Sequence, residues 1–189
     1  AVWSREVIAG EHGRPGSARA VIVNSGSANA CTGARGAADA TATAEHVAGL
    51  LGADAGDVLV CSTGVIGVPI DMPVLLEGAG AAARALAASP QAGHDAAEAI
   101  MTTDTVPKED TVTVTGPDGT WTIGGMIKGV GMLAPGMATM LCVITTDAVV
   151  DAGAAERAVS AAAARTVNRI SSDGCMSTND TVLLLASGA

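Results

Sequence analysis

Short β-branched runs and longer Ala-rich stretches alternate along the first half of the chain. The runs at residues 19–24 (RAVIVN) and 57–61 (DVLVC) predict two buried strands, because each is apolar, rich in Val and bounded by polar residues or glycine. Between them, residues 37–51 predict a helix, since their apolar positions recur at helical spacing. Gly52 follows as its C-cap.

Capping residues predict two further helices in this half. Asp71 is a candidate N-cap for an Ala-rich helix that continues to residue 88. Ser89 and Pro90 match the N-cap and first helical position of the next helix, which we expect to end near Met101.

The second half of the chain is richer in predicted strands. Residues 111–115 (TVTVT) and 120–127 flank Pro117-Asp118-Gly119, which predicts a hairpin because Pro fixes φ and Gly accepts a positive φ. The other predicted elements are strands at 139–145 (TMLCVIT) and 181–186 (TVLLLA) and a helix from the Asp151 cap to about Val167. The pattern as a whole predicts a mixed α/β fold of layered helices and sheet in one structural domain.

Composition narrows the function classes. The chain of 189 residues is 49% hydrophobic and 15% charged, which argues against disorder. Its net charge is −9, and the basic residues are scattered singly, so binding to nucleic acid or to an anionic membrane is disfavoured. No apolar run approaches the ~20 residues of a membrane span, and the N-terminus lacks the pattern of a signal peptide. We therefore expect a cytoplasmic protein.

Cysteine and histidine spacing does not predict a metal site. The three histidines are isolated, and the cysteines form no CxxC pair or disulfide framework. Most of the cysteines stand in or beside apolar runs, which favours buried thiols. The four are Cys31, Cys61, Cys142 and Cys175. We expect neither a metal nor another cofactor.

Four segments combine glycine with hydroxyl or amide side chains at the ends of predicted elements, where loops carry function. They are 24–33 (NSGSANACTG), 62–67 (STGVIG), 102–105 (TTDT) and 124–140 (GGMIKGVGMLAPGMATM). None contains a dinucleotide or P-loop fingerprint. The turn expected at Thr63 and Gly64 could direct a hydroxyl and a backbone N–H at a developing oxyanion, or could simply end a strand.

Lys128 and Thr139 also allow two interpretations each. Lys128 is a single cation among apolar and glycine residues, a pattern that by itself favours a surface lysine over a binding group. Thr139 begins a predicted strand and, taken alone, is an ordinary strand threonine. If the bond between Ala138 and Thr139 is cut, however, the freed α-amine, with a reference pKa of about 7.7–8, supplies a base for the Thr139 hydroxyl.

Five motifs, in order and over almost the whole chain, resemble the bacterial ornithine acetyltransferase family, also called glutamate N-acetyltransferase. They are NSGSANACTG at 24–33, STGVIG at 62–67, IMTTDT at 100–105, KGVGML at 128–133 continuing after residue 134 as PGMATML at 135–141, and SSDGCMSTNDTV at 171–182. The resemblance implies the family's fold, of the layered N-terminal-nucleophile-like type. It implies further that the precursor cuts itself between Ala138 and Thr139.

The resemblance also implies how the site is divided among residues. Thr139 would attack the acetyl carbonyl of N-acetylornithine and pass the acetyl group to glutamate. Thr63 and Gly64 match the oxyanion-stabilising pair, and Thr102, Lys128 and Thr139 itself match substrate-contacting positions. Lys128 would help keep the Thr139 amine neutral or bind a substrate carboxylate, and the sequence does not separate these roles.

The resemblance implies an organisation as well. Residues 1–138 would correspond to the family's α chain, incomplete at its N-terminus, and 139–189 to the beginning of its β chain, incomplete at its C-terminus. The processed chains would assemble as an α2β2 heterotetramer. Acetyl-CoA remains open as an alternative acetyl donor. Two other functions are also left open: a self-processing aminopeptidase-like hydrolase with the same nucleophile, and a non-enzymatic binding module whose glycine-rich loops are structural.

Overall fold

A computed structural model describes residues 2–117 and 119–188, with Met137 and Ala138 described in their backbone alone. The chain divides into two compact units, one up to Thr102 and one from Thr103 onward. The second unit contains both sides of the Ala138–Thr139 bond. The single structural domain and the division at this bond stay predictions.

The first unit is built from helices and a parallel strand pair. Its elements are helix α1 (Val2–Ala9), strand β1 (Ala20–Ser27), helix α2 (Gly33–Leu51), a short 3-10 helix (Ala55–Asp57), strand β2 (Val58–Val65), helix α3 (Met72–Ala85) and helix α4 (Pro90–Ala99). Strands β1 and β2 pair in parallel from Ala20 opposite Val58 to Ser27 opposite Val65. Small and β-branched side chains fill its core: Ala44, Val47, Ala48, Val58, Val60 and Ala79.

The caps predicted in the first unit are confirmed. Gly52 ends α2 with φ +62, in the left-handed conformation that glycine adopts without strain. Asp71 accepts a hydrogen bond from the Val74 N–H at the start of α3, and Ser89 accepts one from Ala92 at the start of α4. Both strands extend three or four residues beyond their predicted ends, a difference that bears on the candidate site.

Helix α1 has no counterpart among the predicted elements. It is short, and it lacks an acidic first turn or a basic last turn to mark its ends. Tertiary contacts hold it against β2: the Trp3 Nε1–H donates to the Val58 carbonyl at 2.9 Å, and Val7 is fully buried. A helix of this length depends on such packing, because isolated helices this short are unstable in water.

The second unit is a four-stranded sheet with a helix and a small ribbon. Its elements are strands β3 (Glu109–Gly116), β4 (Gly119–Lys128), β5 (Leu133–Ala134), β6 (Met137–Ala138) and β7 (Leu141–Thr146), helix α5 (Ala152–Arg165), a short 3-10 helix (Val167–Arg169) and strand β8 (Thr181–Ala186). The sheet order is β3-β4-β7-β8, with β7 and β8 parallel and the other neighbours antiparallel. Strands β5 and β6 form a separate antiparallel ribbon.

The predicted hairpin is confirmed as β3 and β4, paired from Glu109 opposite Met126 to Gly116 opposite Gly119. Asp118 of its turn lies outside the described residues. The predicted strand at 181–186 matches β8, and Asp151 caps α5 through the Ala154 N–H at 2.9 Å.

Ser4 provides a test of how α1 is attached to β2. Its hydroxyl donates to the Val60 carbonyl at 2.7 Å and accepts from the Val60 N–H at 2.9 Å, with Ser4 only 4% exposed. Ser4→Ala leaves that buried strand N–H without its acceptor, so we expect a loss of about 1–3 kcal/mol in the free energy of unfolding. Urea denaturation followed by circular dichroism measures it. The exposed Ser160→Ala serves as control and should change stability by less than about 0.5 kcal/mol; equal effects of the two would contradict this attachment.

Candidate active site

The Ala138–Thr139 bond directly follows a tight ribbon. Leu133 pairs with Ala138 and Ala134 with Met137, and the reversal between them is made by Pro135 and Gly136. Gly136 has φ +81, as the third residue of a type II turn requires, and Pro is favoured just before it. This turn brings the backbone of Thr139 back onto Met132, seven residues earlier.

Thr139 lies before a strand rather than in one. The strand predicted over 139–145 begins at Leu141, so that part of the prediction is wrong. The reason is the ribbon: the Thr139 N–H donates to the Met132 carbonyl at 2.7 Å instead of joining the main sheet. Thr139 is therefore not an ordinary strand threonine.

The Thr139 hydroxyl is the most unusual polar group of this segment. Its Oγ1 is buried and has no hydrogen-bond partner among the residues that the structure describes. A buried hydroxyl without a partner costs about 1–3 kcal/mol, so such groups are uncommon in folded proteins and often mark reactive positions. The hydroxyl thus lies beside the peptide bond that it would have to attack, without competing hydrogen bonds from described groups.

Gly129 lies against Thr139 from the end of β4. Its φ is +147, and a Cβ there would lie 2.6 Å from the Thr139 carbonyl oxygen. Any other residue would push the Thr139 backbone away, because real Cβ atoms do not approach so closely. The glycine after Lys128 is therefore required for the path of the chain at Thr139.

Lys128 is buried together with a carboxylate that the sequence analysis did not identify. Its side chain is 3% exposed, and its Nζ lies 4.0 Å from Oδ2 of Asp104, whose side chain is fully buried. Asp104 Oδ1 accepts the Gly129 N–H at 2.8 Å and pairs with Lys108. Burying an ammonium alone costs several kcal/mol, and the carboxylate offsets that cost. The surface-lysine interpretation of Lys128 is wrong.

The surroundings of Lys128 act on its protonation in opposite directions. Burial lowers the pKa of Lys128 below its usual range, since removal from water penalises the charged form. Asp104 raises that pKa and Lys108 lowers it further, but burial has the larger effect. The sequence does single out Asp104 as the acidic residue of the TTDT segment. Its contact with Lys128, 24 positions away, was not predicted.

The candidate oxyanion residues lie within a strand of the first unit. Strand β2 continues to Val65, so the turn predicted after residue 61 is wrong, and Thr63 and Gly64 pair with Ser25 and Gly26 of β1. Gly64 has φ +129, and a Cβ there would collide with the Gly26 backbone. The parallel pairing therefore places the STGVIG and NSGSANACTG motifs side by side and explains the glycine through sheet packing.

The remaining predicted site residues are divided between the units. Thr63 is buried, whereas Thr102 is exposed in the loop after α4, and both belong to the first unit with Gly64. Lys128, Ala138 and Thr139 belong to the second unit. There Gly129, which directly follows β4, lies against the backbone of Thr139. The roles assigned to these residues stay predictions.

The thiols differ in their environments. Cys61 is buried, and burial raises its pKa to about 11, while burial of the half-buried Cys142 raises that pKa as well. Cys31 and Cys175 are exposed, so the expectation of buried thiols is wrong for these two.

Within residues 2–117 and 119–188 we find no cluster of three or more His, Cys, Asp and Glu side chains able to hold a metal ion. No helix in the same ranges is long and apolar enough to cross a membrane.

A comparison with models of protein families identifies the family of this chain. The model of the ArgJ family matches residues 2–189. The chain belongs to the ArgJ family. The resemblance given by the five motifs is thereby confirmed.

Curated ArgJ relatives match the whole of the chain but extend well beyond it. An arginine biosynthesis bifunctional protein ArgJ from Bifidobacterium longum is 61% identical over 99% of this chain and 46% of its own length. One from Streptomyces coelicolor is 55% identical over 100% of this chain and again 46% of its own. The chain thus spans a little less than half the length of these relatives.

Solved ArgJ structures share the fold. The ornithine acetyltransferase of Mycobacterium tuberculosis, determined in complex with ornithine, superposes with a TM-score of 0.61 at 46% identity, covering 71% of this chain and 68% of that one. The ArgJ protein of Bacillus halodurans gives a TM-score of 0.64 at 39% identity, covering 74% and 69%. The mixed α/β fold predicted from the sequence is confirmed.

The carboxylate beside Lys128 is open to a direct test. Asp104→Asn keeps the side-chain shape but removes the negative charge that raises the pKa of Lys128, so that pKa should fall further. An NMR titration of the Lys128 ε-carbon measures it, with circular dichroism to confirm folding. Asp110→Asn, a neutralisation at an exposed position of β3, should leave the Lys128 titration unchanged. A Lys128 pKa that rises or stays constant in Asp104→Asn would show that the carboxylate does not act on this amine.

Proposed function

We propose that this chain is part of an acetyltransferase that cuts itself between Ala138 and Thr139 and then moves an acetyl group from N-acetylornithine to glutamate through Thr139. The observation that carries the proposal is the Thr139 hydroxyl, which is buried and lacks a partner among the described residues, beside the peptide bond to be cut. Membership of the ArgJ family supports the reaction class.

The first step is self-cleavage. The Thr139 Oγ attacks the Ala138 carbonyl carbon, the C–N bond breaks, and the hydroxyl proton passes to the departing Thr139 nitrogen. This leaves an ester between Ala138 and Thr139, which water hydrolyses to a carboxylate and a free hydroxyl. Two interactions restrain the backbone on the amine side of the peptide bond to be cut. Gly129 lies against the Thr139 carbonyl, and the Thr139 N–H donates a hydrogen bond to the Met132 carbonyl. Such restraint favours attack by an adjacent hydroxyl, since orientation is achieved before reaction.

The freed α-amine then serves as the base for acetyl transfer. Thr139 Oγ attacks the acetyl carbonyl of N-acetylornithine, and the amine takes the hydroxyl proton and delivers it to the departing ornithine nitrogen. An acetyl ester on Thr139 remains. The amine of glutamate attacks this ester, N-acetylglutamate leaves, and the proton returns to Thr139 Oγ. Acetyl-CoA is an alternative donor for the same ester, since its thioester presents an equivalent carbonyl.

The other site residues stabilise charge or contact the substrate. Thr63 and the Gly64 N–H stabilise the oxyanion formed in each attack. Thr102 and Lys128 contact substrate, and a charged Lys128 also disfavours protonation of the neighbouring amine, as required for a base. Lys128 is held in place by Asp104, whose Oδ2 lies 4.0 Å from its Nζ. The substrates are N-acetylornithine and glutamate, and the processed chains assemble as α2β2. A cytoplasmic location stays a prediction.

Transfer of labelled acetyl tests the proposal. The full-length protein incubated with N-acetylornithine labelled in the acetyl group should form labelled N-acetylglutamate only when glutamate is present. The peptide that begins with Thr139 should carry label when glutamate is withheld. Thr139→Ala should lower kcat at least about a thousandfold, because the nucleophile and its ester are lost. Thr139→Ser, which keeps a hydroxyl, should retain measurable transfer.

Thr115→Ala is the matched control, since this threonine is exposed on β3 and pairs with Thr120. It should transfer acetyl at the wild-type rate. Release of labelled acetate at a rate that glutamate does not change would support the aminopeptidase-like hydrolase instead. Wild-type protein that neither takes up label nor releases it would favour the non-enzymatic binding module.

A further inference from the structure

The SSDGCMSTNDTV segment contacts the backbone at the start of the β5–β6 ribbon through Asp173, a residue to which the sequence analysis gave no role. Asp173 Oδ2 accepts the Met132 N–H at 2.7 Å, and Oδ1 accepts the Cys175 N–H at 3.1 Å. The neighbouring Ser172 N–H donates to the Leu133 carbonyl at 2.9 Å. The segment therefore holds Met132 and Leu133, the last residue before β5 and the first residue of that strand.

Met132 has an uncommon backbone conformation. Its φ is +56, in the left-handed region that residues with a Cβ seldom adopt and that costs about 1 kcal/mol or more. A charged acceptor on its N–H offsets this cost, because hydrogen bonds to ionised groups are stronger than neutral ones. The backbone bonds to Met132 and Cys175 in turn lower the pKa of Asp173, which keeps it charged.

The two polar groups of Met132 connect Asp173 to Thr139. Its N–H is held by Asp173, and its carbonyl accepts the Thr139 N–H at 2.7 Å. The left-handed region is narrow in ψ as well as in φ, so Met132 in this conformation has little freedom to turn its carbonyl. The nitrogen that this carbonyl holds is the one that cleavage would release as an amine.

We propose that Asp173 is a positioning residue that acts through Met132 to orient the Thr139 nitrogen, first as an amide during cleavage and then as the amine that takes the hydroxyl proton. An amine that donates one N–H in a fixed direction has its lone pair restricted to the two remaining tetrahedral directions, which helps a base to reach the adjacent Oγ. This role rests on the proposed function.

Kinetics of the full-length protein test the role. Asp173→Ala should slow self-cleavage and lower kcat per cleaved molecule about tenfold, with the KM for N-acetylornithine within about twofold of wild type. Asp173→Asn keeps one oxygen acceptor, so its cleavage rate and kcat should lie between those of the wild type and of Asp173→Ala. Asp151→Ala is the matched control: it removes an aspartate that also accepts a backbone N–H, at the start of α5 in the same unit. It should lower the melting temperature but leave cleavage and kcat unchanged. Cleavage and kcat in Asp173→Ala that match Asp151→Ala would overturn the proposal.

Hydrogen exchange tests the same contact without relying on catalysis. In the uncleavable Thr139→Ala protein, adding Asp173→Ala should speed exchange of the amide at position 139 about tenfold, whereas adding Asp151→Ala should not. Unchanged exchange at position 139 overturns the positioning role whether or not the protein is an acetyltransferase. Faster exchange on adding Asp173→Ala, together with a wild-type protein that transfers no acetyl group, would instead separate a correct contact from a wrong proposed function.

Discussion

The hydrogen bond from the Thr139 N–H to the Met132 carbonyl is the contact on which the geometry of the candidate site depends. It closes the ribbon that Pro135 and Gly136 turn, and it keeps Thr139 out of the neighbouring strand. The Thr139 hydroxyl is thereby left buried beside the bond before it, without a partner among the described residues. A regular strand would instead have used the Thr139 backbone in the sheet ladder, with its side chain as ordinary packing.

Burial of charge is the second constraint. Lys128 and Asp104 lie in the interior of the second unit, and neither would be stable there without opposite charge nearby. The same carboxylate accepts the Gly129 N–H, so the lysine and the backbone that lies against Thr139 are fixed together. A cation held in this manner keeps its position at little entropic cost, which suits a group that acts on a substrate or on a neighbouring amine.

Local signals predicted most of the fold and only part of the site. Caps such as Gly52 and Asp71 and the Pro117–Gly119 turn act over a few residues, so the elements that they bound were recognisable. Helix α1 was not, because its stability comes from contacts with β2 more than 50 positions away. For the same reason motif identity pointed to Lys128 and Thr139, but the partners Asp104 and Asp173 depend on pairings that only the folded chain makes. Strand ends were the weakest predictions: polar Ser62 and Thr63 continue β2 because β1 supplies a pairing partner as far as Ser27.

We propose that the hydroxyl of Thr139 cuts the peptide bond that precedes it. Mass spectrometry of the full-length protein, purified under native conditions, tests this most directly. We expect two fragments from the wild-type protein, the second beginning with Thr139, and one intact chain from Thr139→Ala. A wild-type protein that remains a single intact chain, or fragments from a cut at another bond, would contradict it.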